Sequence, residues 1–145
     1  MRPYPPLIYS GGLLLALVGH LLHPLALPSA VWVRLLAVVP FAVAVVLVVA
    51  AEREFARAAT PMLPFRDASA LITSGPFRFS RNPIYVAFTL IVLGVALATA
   101  SWWPVLSLLP ALLVITSVIR GEEERLRRIF GDEYLEYCRR VRRWI

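Results

Sequence analysis

The sequence contains no lysine and a single cysteine, Cys138, among its 145 residues. One cysteine excludes a disulfide within the chain, and it excludes zinc sites built on paired cysteines. The spacings of a Ser-His-Asp triad and of a phosphate-binding Gly-rich loop are also absent. His20 and His23 have no Asp, Glu or Cys beside them, so we predict no metal site.

Charged residues are few, and 59% of the residues are hydrophobic, which is high for a soluble domain. The apolar residues form four runs, each long enough to cross most or all of a hydrocarbon layer of about 30 Å. Because only Arg2 precedes the first run and no clear cleavage site follows it, we expect that run to stay as a helix. We predict an all-α integral membrane protein of one domain with about four transmembrane helices, at about 7–27, 31–51, 84–100 and 102–119.

The arginines flank these runs unevenly. Seven follow Gly121, and five lie between the second and third runs: Arg53, Arg57, Arg66, Arg78 and Arg81. The positive-inside rule then places both regions and both termini in the cytoplasm. We predict that segment 52–83, with its apolar Met62, Leu63 and Phe65, lies along the inner interface. Segment 120–145 is predicted to form two short amphipathic helices with a break at Gly131. Anionic lipid headgroups, rather than nucleic acid, are the expected partners of these charges.

The stretch TSGPFRFSRNPIY, residues 73–85, interrupts the apolar pattern and allows two interpretations. It could be an interfacial loop in which Asn82 caps a helix and Pro83 occupies its first turn. It could instead be a binding site, because a Gly-Pro turn before a helix N-terminus offers N–H groups to a carboxylate or phosphate. The aromatic side chains of the stretch could hold a cation.

Three glutamates, residues 122–124, follow the fourth apolar run directly. Successive helical positions are about 100° apart, so at most two of the three can face one pocket. Alternatively they are solvated acids at a helix start. The spacing also predicts i, i+4 ion pairs of Glu123 with Arg127 and of Glu124 with Arg128.

Together, LITSGPFRFSRNPIYVAFTLIVLGVAL and EEERLRRIFGDEYLEYCRRVRRWI resemble the membrane methyltransferase superfamily of isoprenylcysteine carboxyl methyltransferases and phospholipid N-methyltransferases. The resemblance implies S-adenosylmethionine as cofactor, covered by segment 120–145. It implies that Arg81, Tyr85 and Glu122 are catalytic, although Asn82 stands where a histidine is common in the superfamily. It assigns cofactor binding to Gly75, Pro76, Phe77, Arg78, Arg81, Asn82, Pro83, Tyr85, Glu122 and Glu123.

The resemblance also implies methyl transfer to a lipophilic acceptor that enters from the bilayer at the cytoplasmic face. The acceptor could be a phospholipid amine or the carboxylate of an isoprenoid or prenylcysteine, and an amine would need Glu122 or Glu123 as a base. The competing interpretations are a sterol-reductase-like oxidoreductase and a non-catalytic membrane interaction protein. The arginine-only basic composition favours a bacterial inner membrane as the location.

Overall fold

A computed structural model of the protein describes residues 4–27, 30–60 and 69–145. Part of the predicted interfacial segment, residues 61–68, therefore lies outside the described residues, including Met62, Leu63 and Phe65. Within the described ranges the regular secondary structure is helical, apart from one isolated β-bridge. The elements are α1 (Pro5–Leu22), α2 (Val31–Leu35), α3 (Val38–Arg57), a 3-10 turn (Gly75–Arg78), α4 (Pro83–Thr99) and α5 (Trp103–Arg140).

Three helical stretches of the described chain are long and apolar enough to cross a membrane: Pro5–Leu22, Val31–Arg57 and Trp103–Arg140. The prediction of a helical membrane protein is confirmed at this level. Helix α4 has 17 residues and is about 25 Å long, somewhat short of a full hydrocarbon layer. It packs against α1, α2, α3 and α5, so it is the central helix of the bundle.

Three of the predicted helices end at other positions. The second is divided into α2 and α3, and α3 ends at Arg57 rather than near residue 51. Helix α1 ends at Leu22 rather than near residue 27, because Pro24 follows and the residue before a proline disfavours helical geometry. Helix α5 does not stop near residue 119 but continues through the glutamates to Gly131. There φ is 53° and ψ is −125°, which confirms the predicted break. Only the part beyond Gly131 forms a separate short helix.

One end of the bundle, which we call the tryptophan end, is defined by His20, Ser101 and Trp103. Segments 25–27 and 100–102 exchange backbone hydrogen bonds of 2.7 and 3.0 Å. The imidazole Nδ1 of His20 lies 3.1 Å from the Ser101 hydroxyl, and the Trp103 indole donates to a backbone carbonyl that follows α1 at 2.7 Å. These contacts tie the turn between α4 and α5 to the end of α1.

Candidate active site

The opposite end of the bundle, which we call the arginine end, begins with the turn before α4. Gly75 has φ of +57°, and a Cβ atom there would lie 2.8 Å from Cγ of Glu54. Glu54 is a buried residue of α3 that accepts hydrogen bonds from the Ser74 hydroxyl and from Arg57. The turn can approach α3 this closely only because residue 75 is glycine. Glu54 therefore anchors the loop that leads to Arg81.

The last five residues, 141–145, which we call the C-terminal strap, hold the other side of this loop. The backbone N–H of Arg81 donates to the Arg142 carbonyl at 3.0 Å, and the Asn82 side-chain amide donates to the Arg143 carbonyl at 2.9 Å. Asn82 occupies the predicted N-cap position of α4, but its side chain makes no capping hydrogen bond. The predicted capping role is therefore replaced by a bond to the strap.

Glu123 of α5 joins the loop to the strap. Its carboxylate lies 3.1 Å from Nη1 of Arg81 and accepts three hydrogen bonds of 2.6 to 3.2 Å from the Arg143 guanidinium. Glu124 is exposed and lies 3.9 Å from Arg127. Glu123 does not form the predicted pair with Arg127, because its carboxylate faces the protein interior and finds tertiary partners there. The predicted pair of Glu124 with Arg128 is replaced by the i, i+3 contact with Arg127.

Glu122 contacts α4 instead. The Tyr85 hydroxyl donates to Oε1 of Glu122 at 2.8 Å. Tyr85 is itself fixed by α1, since the Tyr9 hydroxyl lies 3.3 Å from its carbonyl oxygen and 3.1 Å from the Thr89 hydroxyl. Adjacent positions on a helix diverge by about 100°, and this divergence sends Glu122 towards α4 and Glu123 towards the loop and strap.

These groups surround a cavity of about 330 Å³ at the arginine end. Of the predicted cofactor residues, those that line the cavity are Phe77, Arg81, Asn82, Pro83, Tyr85, Glu122 and Glu123. Gly75, Pro76 and Arg78 are also described by the structure but are not part of the lining. Pro76 is buried and Arg78 is exposed. All three predicted catalytic residues, Arg81, Tyr85 and Glu122, contact the cavity.

Several aromatic residues of the cavity wall were not predicted from the sequence. Phe55 of α3 packs edge-to-face on Phe77 with ring centroids 5.6 Å apart. Tyr137 donates its hydroxyl hydrogen to the Phe77 carbonyl at 2.7 Å, and Tyr134 is 1% exposed. The i, i+3 spacing of the two tyrosines in the C-terminal segment was the signal that could have identified them. Phe88 lines the cavity from α4, but its position within an apolar helix gave no such signal.

The polar groups around the cavity differ in charge. Burial raises the pKa of both Tyr134 and Tyr137 above the usual value for a phenol, so both side chains are neutral at pH 7. Hydrogen bonding to Glu123 raises the pKa of Arg143. Nε of Arg81 is buried and has no hydrogen-bond partner among the described residues. The lining of the cavity thus includes the guanidiniums of Arg81 and Arg125 and the Tyr85–Glu122 pair between aromatic walls, a set suited to a molecule that carries charges of both signs.

Within the ranges 4–27, 30–60 and 69–145, no group of three or more His, Cys, Asp or Glu residues could hold a metal ion. A model of the phospholipid methyltransferase family matches residues 32–133. No curated protein and no solved structure matches the chain significantly. The matched range contains the loop with Arg81, the tyrosine at 85 and both pocket glutamates, and it stops before the strap. The chain therefore belongs to the phospholipid methyltransferase family.

Proposed function

We propose that the protein uses S-adenosylmethionine to methylate a lipophilic amine at the arginine end. The observation that carries this proposal is the cavity in which Arg81 and the Tyr85–Glu122 pair converge between aromatic walls. The phospholipid methyltransferase family supplies the class of reaction. When bound, S-adenosylmethionine would supply a methyl group activated by its sulfonium, whose carbon the acceptor lone pair attacks as the C–S bond breaks and a neutral thioether leaves.

The residues present suit the charges of that cofactor. A planar guanidinium can hold a carboxylate with two hydrogen bonds, and we assign this role to Arg81. Nε of Arg81 is an N–H donor without a partner among the described residues, which fits a site completed by a ligand. The rings of Phe77, Tyr134 and Tyr137 form walls that suit an aromatic base and a sulfonium.

Glu122 is the carboxylate that we assign to positively charged groups. Glu122 lines the cavity, and its carboxylate accepts the Tyr85 hydroxyl hydrogen. An ammonium acceptor must lose a proton before its nitrogen can attack, and Glu122, oriented by the Tyr85 hydroxyl, is placed to take that proton. A carboxylate acceptor would need no base and would be repelled by Glu122. An amine is therefore the favoured acceptor.

The lining of the cavity supports an acceptor that stays in the bilayer. Pro5 and Pro6 at the start of α1, Leu71 and Ile72 before the turn, and Phe88 of α4 are apolar parts of this lining. A lipid chain could lie against them while its headgroup reaches Glu122. Enclosure by such residues also keeps water away from the reacting groups.

The proposed topology has four crossings, formed by α1, α2 with α3, α4 and α5, with the arginine end in the cytoplasm. The positive-inside rule supports this orientation, and we propose a bacterial inner membrane as the location. Reporters fused after Ile145 and inserted near Thr73 should both be cytoplasmic, and one at Ser101 should be external. An external signal from either of the first two reporters would contradict the proposed orientation.

The decisive experiment uses the purified protein in detergent. We expect calorimetry to detect binding of S-adenosylhomocysteine. Methyl-labelled S-adenosylmethionine, incubated with the protein and a native lipid extract, should transfer label to an amine-bearing lipid. Label in a base-labile methyl ester would exclude the amine but keep the methyltransferase. Absence of both binding and transfer, with the protein folded, would overturn the proposed function.

A further inference from the structure

Glu123 has two arginine partners that occupy different positions relative to the cavity. Arg81 lines the cavity and lies 3.1 Å from the carboxylate. Arg143 belongs to the C-terminal strap, is not part of the lining, and holds both carboxylate oxygens through Nε and Nη2. The side chains of Arg81 and Glu123 are 13% and 14% exposed, and that of Arg143 is 34% exposed. Water therefore screens the Arg81–Glu123 pair only weakly and the Arg143 guanidinium more strongly.

The charges of Glu123, Arg81 and Arg143 do not cancel. One carboxylate and two guanidiniums leave one positive charge, and the neutral phenols of Tyr134 and Tyr137 do not change that sum. Without Arg143, Glu123 would have Arg81 as its remaining arginine partner, and the two charges would balance. A ligand carboxylate would then have to compete with Glu123 for Arg81, an interaction that is strong at low effective dielectric.

We propose that Arg143 is a positioning residue that neutralises Glu123 and thereby keeps the charge of Arg81 available for a ligand carboxylate. The ligand class is an amino-acid-bearing cofactor such as S-adenosylmethionine, so this inference rests on the proposed function. The role of Arg143 is indirect, because this residue acts through Glu123 and Arg81 rather than by touching the ligand. Arg143 lies beyond the residues that the family model matches.

The backbone of the strap is held by contacts that do not involve the Arg143 guanidinium. Val141 is buried, and Trp144 packs against the cluster that contains Tyr9 and Tyr85. The backbone carbonyl of Arg143 accepts a hydrogen bond from Asn82. A substitution of the Arg143 side chain should therefore leave the strap in place and alter mainly the charge around Glu123.

The test is calorimetric titration of the full-length protein in detergent with S-adenosylhomocysteine. Loss of a charged hydrogen-bonding partner predicts that Arg143→Gln weakens binding about tenfold, and that Arg143→Lys, which keeps the charge, stays within about threefold of wild type. Arg139→Gln removes an equal charge from an exposed position of α5 just before the strap, and we expect this variant to bind S-adenosylhomocysteine as wild type does.

A double substitution separates this role from a purely structural one. In Glu123→Gln, Arg143 has no carboxylate to neutralise, so adding Arg143→Gln to Glu123→Gln should change the affinity by no more than about threefold. A ligand that lacks the carboxylate, decarboxylated S-adenosylmethionine, should bind wild type and Arg143→Gln equally.

Each result of this series has one meaning. If wild type binds S-adenosylhomocysteine and Arg143→Gln binds as well as wild type, the inference is overturned while the proposed function stands. Arg143→Gln weakening binding as much in the Glu123→Gln background as in wild type would also overturn it. If Arg143→Gln alone cannot be purified in folded form, the double variant is compared with Glu123→Gln. A loss beyond about threefold between these two variants would reject the inference.

Discussion

The two ends of the bundle are closed by different kinds of contact. At the tryptophan end, backbone hydrogen bonds join segments 25–27 and 100–102, and His20 contacts Ser101. At the arginine end, charged and phenolic side chains from α4, α5 and the strap meet around a cavity. Backbone bonds fix a connection whatever the side chains are, whereas clustered charges near a bilayer are costly to desolvate.

This difference between the two ends predicts that stability and function depend on different parts of the bundle. Substitutions at the tryptophan end should change stability and leave turnover alone. Substitutions at the arginine end should change binding and turnover, with smaller effects on the stability of the ligand-free protein.

The largest effect is expected for Glu122→Gln. Loss of a general base costs about 10²-fold or more in rate, so we expect kcat for a lipid amine to fall at least that far at saturating S-adenosylmethionine. The matched control is Glu124→Gln, because Glu124 is exposed and does not line the cavity. Steady-state methylation assays check both variants. Turnover by Glu122→Gln within a few fold of wild type would remove Glu122 from the reaction.

Arg81→Lys should have the next largest effect. Lysine keeps the charge but cannot reproduce the planar fork of donors that a carboxylate needs. We expect turnover to fall at least about tenfold, or about 1.4 kcal/mol of transition-state stabilisation. The melting temperature without ligand should stay near that of wild type. Arg78→Lys, at an exposed position outside the cavity lining, is the control. Normal methylation by Arg81→Lys would indicate that residues 73–85 are an interfacial loop and not a binding site.

A pair of glycine substitutions compares the two ends directly. A Cβ atom at Gly19 would lie 2.6 Å from the Trp103 ring, and one at Gly75 would lie 2.8 Å from Glu54. Overpacking predicts that each alanine variant loses about 1–3 kcal/mol of stability. The Gly75 variant alone should also bind S-adenosylhomocysteine more weakly, since its turn leads to Arg81. Gly11→Ala, which meets nothing within 4 Å, controls for the added methyl group. Equal affinity in the Gly19 and Gly75 variants would remove the functional distinction between the ends.

His20→Ala should have the smallest effect. It removes the contact with Ser101, and loss of one such hydrogen bond costs about 0.5–1.5 kcal/mol. We expect a lower melting temperature and unchanged kcat and KM. A change in KM for the lipid or the cofactor would show that the tryptophan end influences the site.

The sequence allowed the helical membrane class and the break at Gly131 to be predicted, because long apolar runs and glycine leave strong local signals. The convergence of Arg81, Tyr85 and Glu122 depended on the family resemblance, and their chemical roles remain predictions. The predicted Glu123–Arg127 pair and the Asn82 cap follow local rules, and both predictions failed because tertiary partners were available. The predicted Glu124–Arg128 pair was wrong for a different reason, since Glu124 contacts Arg127 of the same helix. Arg143 gave no signal, because its distance from Glu123 depends on the change of direction at Gly131.

Helix α5 runs without a non-helical residue from Trp103 to the kink at Gly131. Each residue added to a helix turns the remainder of that helix by about 100° and advances it by about 1.5 Å. A single insertion between Pro110 and Arg120 would therefore rotate both pocket glutamates away from their partners. A change within the turn before Trp103 would leave the positions of these glutamates within α5 unchanged. The number of residues in α5 therefore sets the directions of the pocket glutamates, and insertions or deletions should be tolerated better in the turn before Trp103 than along this helix.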